Sequence, residues 1–430
     1  MQKIVSLCKR RGFIYPNSEI YGGVAGVWDF GPLGALLKKN IKDVWWKDLV
    51  QLREDIVGLD SAILSNPKVW EASGHIESFS DPLIECKTCH KRFRADVESE
   101  IKEHEKEHAD KQVEWTSPQN FNLLVKAFLG IIEGKQSEVF LRGEITQGVH
   151  FNFKNVLDST RVKIPFGIAQ IGKAFRNEIT PGNFIFRSVE FEQMEVQYFI
   201  KPEESEGNKW FEYWKEYWLK WYTNLGIRTS NLRFADHHPD KRAHYAKAAT
   251  DLEYKAPWGW AEFLGVHHRG DWDLSRHQTF SKKNLTYHNP ESNEEFIPWD
   301  IESSMGVDRT TLFLLIDAYT EDEGRVFLKL HPKLAPYKAA VFPLVSNKPD
   351  LVAKARTVYD LLKQDYMVAW DDRGNIGKRY ASQDEIGTPF CITIDYTSLE
   401  DDTVTVRNRD TSKQDRVSIS SLQPYLLQFF

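Results

Sequence analysis

Cysteine and long apolar runs are both scarce in this sequence. Only four of the 430 residues are cysteine, and the longest obvious apolar run, from Leu312 to Ile316, ends at Asp317. So few cysteines exclude a disulfide scaffold, and so short a run is far below the length of a membrane span. The first eleven residues hold only a brief apolar stretch, which is unlike a secretory signal. We therefore expect a cytoplasmic protein with no membrane partner.

An excess of positive charge is also missing. The chain has 56 Lys and Arg against 62 Asp and Glu, a net charge of −6. This excludes a uniformly basic nucleic-acid binder, so any nucleic acid must contact local positive patches. The hydrophobic fraction of 41% and the aromatic fraction of 13% suffice for several packed cores and argue against disorder.

The length and a change of pattern predict more than one domain. The chain is about three times as long as a typical domain. Beyond His331-Pro332, strand and helix patterns alternate, which predicts a separate α/β domain over residues 335–430. The larger domain covers residues 1–334. Within it, a Cys-x₂-Cys pair and a charged segment predict an inserted module at about 86–138.

Three polar patterns in the larger domain predict a ligand site on a sheet. Strands are predicted over residues 140–148, 149–153, 166–179 and 184–200. Side chains alternate along a strand, so Arg176 and Glu178 would share one face of a hairpin with Arg187. Arg142, Glu144 and Thr146 would share another face. A polar face on a buried sheet favours a bound ligand, whereas the alternative is an exposed face with ion pairs.

The third pattern is a predicted strand that turns into a helix. Glu302, Ser304 and Gly306 would share one strand face, and Gly306 would open a helix over 308–319 whose first turn carries Arg309. Glycine permits close approach of a ligand, and a helix N-terminus favours anions. Alone, such a glycine equally fits an ordinary turn.

Together these patterns resemble the class II aminoacyl-tRNA synthetases, and within them the homodimeric glycyl-tRNA synthetases. Residues 175–178 with 187–191 are similar to motif 2, residues 306–309 to the end of motif 3, and a predicted helix over 35–53 with a strand over 59–64 to motif 1. Stretches that resemble the glycyl enzymes in particular are 69–75, 93–96, 141–148, 258–263 and 268–274. Ser303, Ser304 and Gly143 depart from the family pattern without changing its Arg and Glu positions.

The resemblance implies a fold, an activity and partners. The fold would be α+β, with a class II antiparallel β-sheet flanked by helices and a C-terminal α/β anticodon-binding domain. The activity would be ATP-dependent activation of glycine followed by transfer to tRNA(Gly), with Mg²⁺ accompanying ATP. The chain would form a homodimer. Two alternatives stay open, a class II synthetase for another amino acid and a non-catalytic, synthetase-like nucleic-acid-binding subunit.

The resemblance also implies the residues that bind ATP. Arg176 and Arg309 would be catalytic, Arg176 at the α-phosphate and Arg309 at the γ-phosphate, because guanidinium groups bind phosphate oxygens in pairs. Phe191 would stack on adenine, and Glu262 would contact Mg²⁺ or ATP. The full set for ATP is Arg176, Asn177, Glu178, Phe186, Arg187, Ser188, Val189, Glu190, Phe191, Glu262, Phe263, Gly306, Val307, Asp308 and Arg309.

For glycine, the resemblance implies that the matched positions would form an acidic pocket around the ammonium group. Glycine has no side chain to bind, so affinity must come from its charged ends and selectivity from exclusion of larger amino acids. The implied set is Arg94, Glu144, Phe191, Glu192, Gln193, Met194, Glu195, Arg269, Glu302, Ser303, Ser304, Met305 and Gly306.

A separate pattern predicts a metal site in the inserted module. Cys86-x₂-Cys89 followed by His104-x₃-His108 has the spacing of a Cys₂His₂ zinc site, with a slightly long intervening segment. Four protein ligands would make the zinc structural. The alternative is a charged helix with two exposed histidines.

Overall fold

The computed structural model describes residues 1–108, 113–131, 137–238, 246–322 and 324–430. Residues 109–112 and 132–136 of the predicted module at 86–138 lie outside the described residues. The helices before residue 334 are α1 (Gln2–Arg11), α2 (Pro32–Trp46), α3 (Lys68–Ala72), α4 (His75–Ser78), α5 (Glu98–Glu107), α6 (Thr146–Ser159), α7 (Glu204–Asn224), α8 (Trp272–Ser281) and α9 (Val307–Ala318).

The strands before residue 334 form one large sheet and several small ones. They are β1 (Ile14–Pro16), β2 (Trp28–Phe30), β3 (Ile56–Leu59), β4 (Leu64–Ser65), β5 (Ser80–Glu85), β6 (Arg92–Arg94), β7 (Gln119–Asn122), β8 (Val125–Leu129), β9 (Ser137–Leu141), β10 (Phe166–Phe175), β11 (Glu190–Ile200), β12 (Leu232–Asp236), β13 (Ala248–Ala256), β14 (Gly259–Gly270), β15 (Tyr287–His288), β16 (Glu295–Phe296), β17 (Trp299–Gly306), β18 (Tyr319–Asp322) and β19 (Arg325–Leu328).

Seven strands make the large sheet, in the order β12-β13-β14-β17-β11-β10-β3. All neighbours are antiparallel except β3 and β10, which run parallel. In this register Ser304 lies between Glu195 on β11 and Gly265 on β14, and Glu302 lies opposite His267. The sheet and its flanking helices confirm the predicted fold class.

Helix α7 covers one face of this sheet because its aromatic residues recur at helical spacing. Trp214, Trp218, Trp221 and Tyr222 are all buried, as positions i, i+4, i+7 and i+8 require. Tyr222 packs against Phe263 of β14, with ring centroids 3.9 Å apart. The packing anchors the sheet on the side that carries β14 and β17.

The predicted strand over 149–153 and most of that over 140–148 are wrong. Strand β9 ends at Leu141, and α6 begins at Thr146. Val149, Phe153 and Val156 are buried on α6 at i, i+4 and i+7, so the apolar period is that of a helix. The predicted shared strand face of Arg142, Glu144 and Thr146 is therefore also wrong.

Two further strand predictions are too long. Strands β10 and β11 stop at Phe175 and start at Glu190, so Arg176, Glu178 and Arg187 lie in the segment that connects them. One more backbone bond, from Arg176 N to Val189 O at 2.8 Å, continues the pairing beyond the strand ends. The predicted strand over 59–64 is wrong except at its two ends, where β3 finishes and β4 begins.

The C-terminal residues form a second sheet of five strands, in the order β21-β20-β22-β23-β24. Strands β20, β21 and β22 are parallel, and β22, β23 and β24 are antiparallel. A separate apolar core lies here, and the boundary at residue 334 stays a prediction. The elements are β20 (Ala339–Pro343), α10 (Pro349–Leu362), β21 (Val368–Trp370), α11 (Ile376–Glu385), β22 (Phe390–Ile394), α12 (Tyr396–Asp401), β23 (Thr403–Asn408), β24 (Gln414–Ser418) and α13 (Leu422–Leu427).

A cluster of charged residues at the end of α11 joins the two sheet systems. The buried carboxylate of Asp384 accepts hydrogen bonds from Arg325 of β19, at 2.9 Å, and from both terminal nitrogens of Arg407, at 2.9 and 3.0 Å. Next to it, Glu385 pairs with Arg10 and Arg11 of α1. We call these six residues the α11 clasp.

Among the described residues, no helix combines the length and the apolar character that crossing a lipid bilayer requires.

Candidate active site

A cavity of about 180 Å³ opens where β11, β14 and β17 meet the first turns of α6 and α9. It collects side chains from strands, from the segment between β10 and β11, and from two helix starts. Its lining residues are Glu144, Thr146, Arg176, Glu178, Ile185, Phe186, Arg187, Ser188, Phe191, Gln193, Glu195, Glu262, Gly265, His267, Arg269, Glu302, Ser304, Met305, Gly306, Asp308 and Arg309.

One part of the cavity is acidic. Glu195 of β11 and Glu302 of β17 are buried and lie on adjacent strands, while Glu144 precedes α6. The hydroxyl of Thr146 lies 2.6 Å from Glu195 Oε2 and 3.1 Å from Glu302 Oε1. The hydroxyl of Ser304 donates to Glu195 Oε1 at 2.7 Å. Neutral donors thus hold the carboxylates close together.

These carboxylates differ in their affinity for protons. Burial, together with the charges of Glu302 and Glu144, raises the pKa of Glu195 to about 8. Burial acts in the same direction on Glu144, but the charges of His75 and Arg269 outweigh it and lower its pKa to about 2. The pKa of Glu302 is also lowered, because Arg269 and His267 outweigh burial. At neutral pH the pocket is therefore negative and one of its carboxyls holds a proton.

The other part of the cavity carries guanidinium groups. Arg309 pairs with Glu262 at 3.0 Å, donates to the carbonyl of Phe186 at 3.2 Å, and lies 4.5 Å from the centre of the Phe186 ring. Arg176 donates to the carbonyl of Gly143 at 3.1 Å, and its guanidinium lies 5.4 Å from the ring of Phe191. Arginine held in this way suits binding of an anion with several oxygens.

An aromatic face and a carboxyl lie next to these arginines. Phe191 lines the cavity, and Glu178 lies 3.9 Å from Arg187. Burial raises the pKa of Glu178, although the charges of Arg176 and Arg187 oppose it. The flat ring of a ligand can stack on Phe191, while a polar group at the edge of that ligand ring contacts Glu178.

The structure brings most of the predicted site residues to this cavity, but not all. Those that lie outside its lining are Arg94, Asn177, Val189, Glu190, Glu192, Met194, Phe263, Ser303 and Val307. Strand alternation explains Glu192, Met194 and Ser303, because their neighbours point inward. Glu192 instead contacts Lys38 at 3.1 Å and Lys42 at 2.8 Å, both on α2.

Two other predicted site residues, Arg94 and Asp308, form ion pairs within the protein. Arg94 of β6 pairs with Asp81 at 3.0 Å and with Asp96 at 2.7 Å. Asp308 lines the cavity, but its carboxylate accepts from Lys38 Nζ at 2.6 Å and from the backbone N of Glu192 at 2.9 Å. It therefore joins the start of α9 to α2 and β11.

The predicted ligand sets miss four lining residues, namely Thr146, Ile185, Gly265 and His267. His267 is joined to Glu302 by a hydrogen bond of 2.8 Å. It lies two residues before Arg269, so the alternation of β14 would have placed it on the same face. Gly265 leaves room for this ring, since an added Cβ would come within 2.6 Å of it. The sequence carries no comparable signal for Ile185.

A second constellation lies in the module between β5 and β7. Cys86, Cys89, His104 and His108 each offer one ligand atom, and these four atoms lie within 4.8 Å of one another. Cys89 Sγ is 3.4 Å from His104 Nε2, Cys86 Sγ is 3.9 Å from His108 Nε2, and the two Nε2 atoms are 3.2 Å apart. Ligands of a tetrahedral zinc at its usual bond lengths are about 3.3–3.8 Å apart.

Comparison with known proteins matches the C-terminal residues to one family and the whole chain to several relatives. Residues 338–429 match the family described as the anticodon binding domain. A glycine–tRNA ligase of Alkaliphilus oremlandii is 50% identical over 455 aligned positions, covering 99% of this chain and 97% of that protein. Those of Borreliella burgdorferi and Thermobifida fusca are also 50% identical, covering 99% and 100% of this chain and 96% and 97% of their own lengths. The chain therefore belongs to the glycine–tRNA ligase family.

Proposed function

We propose that this protein is an ATP-dependent glycine–tRNA ligase. It joins glycine to the α-phosphate of ATP, releases pyrophosphate, and transfers the glycyl group to the 3′ end of tRNA(Gly). The observation that carries the proposal is the cavity itself. A small acidic pocket, built from Glu144, Glu195 and Glu302, adjoins the guanidinium groups of Arg176 and Arg309 in one space.

The first step places a carboxylate next to a phosphate. The glycine carboxylate is already ionised and attacks the α-phosphorus, and the bond to the bridging oxygen of pyrophosphate breaks. Negative charge spreads over the phosphate oxygens, so positioning and electrostatic stabilisation supply most of the catalysis. Arg176 would contact the α-phosphate and the attacking carboxylate, and Arg309 would contact the γ-phosphate. Phe191 would stack on adenine, with Glu178 at its amino group.

Selection of glycine follows from charge and space. The ammonium group would lie among Glu144, Glu195 and Glu302. A neutral or anionic group in the same place would gain no electrostatic attraction. The side chains around the ammonium group are mostly buried and are hydrogen-bonded to one another, so a substrate with a β-carbon would have to displace them. Because no amino acid is smaller than glycine, this exclusion needs no editing site.

ATP brings a divalent cation, for which Mg²⁺ is the expected choice. The carboxylate of Glu262 fits such an ion, since it is a hard oxygen ligand at the cavity edge and is half exposed at 52%. The charge of Arg309 lowers the pKa of Glu262, so the group is anionic at neutral pH. When bound, the cation would neutralise charge on the phosphates.

The test of the proposal is glycine-dependent exchange of pyrophosphate into ATP, measured with each of the twenty amino acids. We expect exchange with glycine alone. Arg176→Ala should abolish exchange while the thermal midpoint and the size of the particle stay unchanged. Exchange with another amino acid, or full activity of Arg176→Ala, would contradict the assignment.

The tRNA partner is tested separately. The C-terminal sheet, residues 335–430, would bind the anticodon stem-loop, through base stacking and hydrogen bonds at least as much as charge. We expect the chain to charge tRNA(Gly) transcripts and to fail with a transcript of altered anticodon. Equal charging of the two transcripts would contradict the proposal that the C-terminal sheet binds the anticodon.

We further propose that the chain is a homodimer. The supporting observation is a set of large apolar side chains left exposed in the region that resembles motif 1, namely Trp46, Leu52 and Leu64 at 37, 64 and 40%. Sedimentation should give twice the 50.0 kDa of the chain. A particle of 50.0 kDa at micromolar concentration would exclude it.

We propose that zinc is bound by the cluster of Cys86, Cys89, His104 and His108. His104 Nδ1 is 3.0 Å from Glu107 Oε2, an outer contact that orients zinc-bound histidines in general. Elemental analysis should find one zinc per chain, and Cys89→Ser should remove it. His90→Ala, which alters a neighbouring exposed histidine outside the cluster, is the control and should retain the metal.

A further inference from the structure

A layer of buried polar residues lies behind the acidic pocket, on the side away from the cavity. It consists of Gln147 and His150 on α6, Asp273 and His277 on α8, and Asp300 on β17. All five are at most 5% exposed, and none of them lines the cavity. Burial of this much polarity is costly unless each group is hydrogen-bonded.

Asp273 occupies the centre of this layer. Its carboxylate binds the guanidinium of Arg269 through two bonds, Nε to Oδ2 at 2.8 Å and Nη2 to Oδ1 at 3.1 Å. The third nitrogen of Arg269, Nη1, is thereby turned toward the pocket, where it donates to Glu302 Oε2 at 3.0 Å. Two parallel bonds fix the plane of a guanidinium as well as its position.

The same carboxylate reaches a second pocket residue. Gln147 Nε2 donates to Asp273 Oδ1 at 2.9 Å and also to Glu144 Oε1 at 3.0 Å. The Gln147 amide is not free to flip and so exchange its oxygen and nitrogen, because Gln147 Oε1 is bonded to His277 Nε2 at 2.9 Å. Glu302 and Glu144 are therefore both held by chains of bonds that meet at one buried carboxylate.

The charge of Asp273 is held in place as well. Arg269, His150 and Gln147 outweigh the effect of burial and lower its pKa, so the group is anionic throughout the neutral range. His150 Nδ1 faces Asp273 Oδ1 at 3.9 Å, while His150 Nε2 is bonded to Asp300 Oδ2 at 2.9 Å. The position of Asp273 is thus set from both helices and from the sheet.

We infer that Asp273 is a positioning residue for glycine recognition, which acts through Arg269 on Glu302 and through Gln147 on Glu144. The inference rests on the proposed function, since it concerns the same pocket. Without the anion, Arg269 loses its fixed plane and neutralises Glu302 more completely. The attraction for a substrate ammonium then falls, although Asp273 itself never touches the substrate.

Asp273→Asn tests this, because it keeps the size of the side chain and removes its charge. Pyrophosphate exchange should show the KM for glycine raised at least tenfold and the KM for ATP changed less than threefold. Asp271→Asn is the matched control. It makes the same change two residues away at an exposed position, and both constants should stay within twofold of wild type.

A double-mutant cycle separates positioning from general loss of structure. If Asp273 acts through Glu302, Asp273→Asn should raise the glycine KM less than threefold when Glu302→Gln is already present. Independent effects that multiply in the double variant would overturn the Glu302 arm of the inference. An unchanged glycine KM in Asp273→Asn, or an equal rise in both KM values, would overturn the whole inference.

A second variant covers failure of Asp273→Asn to fold. Gln147→Met keeps the volume and removes the bonds of the amide to Glu144, Asp273 and His277, while the bonds of Arg269 to Asp273 and Glu302 stay. It too should raise the glycine KM with little effect on the KM for ATP. An unchanged glycine KM in Gln147→Met would overturn the Glu144 arm of the inference. Absence of glycine-dependent exchange in the wild-type protein would instead refute the proposed function, so the two failures are distinguishable.

Discussion

Glu302→Gln removes one charge from the acidic pocket with little change of shape. The carboxylate is 3% exposed and is bonded by Arg269 and His267 at Oε2 and by Thr146 and Gln197 at Oε1. An amide can replace it because Gln197 Oε1 has no hydrogen-bond partner among the described residues, so a flipped Gln197 can accept from the new amide.

The expected rise in the glycine KM follows from the charge of Glu302 and from its surroundings. A unit charge about 4 Å from an ammonium contributes about 4 kcal/mol at an effective dielectric constant near 20. Arg269, at 3.0 Å from Glu302, cancels part of this attraction. The remaining effect falls in the range of a hydrogen bond to a charged group, about 1.5–3 kcal/mol. At about 1.36 kcal/mol per factor of ten, the glycine KM should rise about 10- to 150-fold.

The assay is pyrophosphate exchange with glycine varied at saturating ATP, and then with ATP varied at saturating glycine. The KM for ATP should change less than threefold, because the arginines and Phe191 are untouched. Glu295→Gln, an exposed change of the same kind on β16, is the control and should leave both constants unaltered. A glycine KM within twofold of wild type would refute the reasoning about the pocket.

Three further perturbations have definite expected outcomes. Because Glu195 is protonated below its raised pKa of about 8, and only the ionised form attracts an ammonium, the glycine KM should fall roughly tenfold as the pH rises from 6.5 to 8.5. A flat profile would contradict this. Lys38→Met leaves Asp308 buried without its cation and should lower the free energy of unfolding by about 3–5 kcal/mol in urea titration. Lys39→Met, its exposed neighbour, should cost less than about 1 kcal/mol. Asp384→Asn should loosen the α11 clasp, so that charging of tRNA falls while glycine-dependent exchange is retained. An equal loss of both would point to general unfolding.

The chemistry of the site was more predictable from the sequence than its local backbone. Motif residues such as Arg176, Glu195 and Arg309 line the cavity although the strands predicted to carry Arg176 are shorter than expected. The error at α6 has a physical cause, since Thr146, Gln147 and His150 are polar residues buried on a helix. Polar residues on a buried face obscure the apolar period by which a helix is recognised.

Other features depend on contacts between distant segments. The bond of Asp273 to Gln147 joins parts of the chain that are 126 positions apart. No spacing rule in a single sequence reports such contacts. The cluster of Cys86, Cys89, His104 and His108 is the opposite case, because its pattern is local and the structure brings the four side chains together as the spacing predicts.

The α11 clasp has a consequence for how the C-terminal sheet is connected to the cavity. Arg325 lies on β19, which follows α9, and the first turn of α9 carries Arg309. The C-terminal sheet is therefore connected to the start of α9 through the charged bonds of the clasp, β19 and α9 itself. Under the proposed function, these bonds would hold the anticodon-binding residues 335–430 at a set distance from the ATP site. An RNA with correct bases but an arm one helical turn too short would then fail to contact both sites at once.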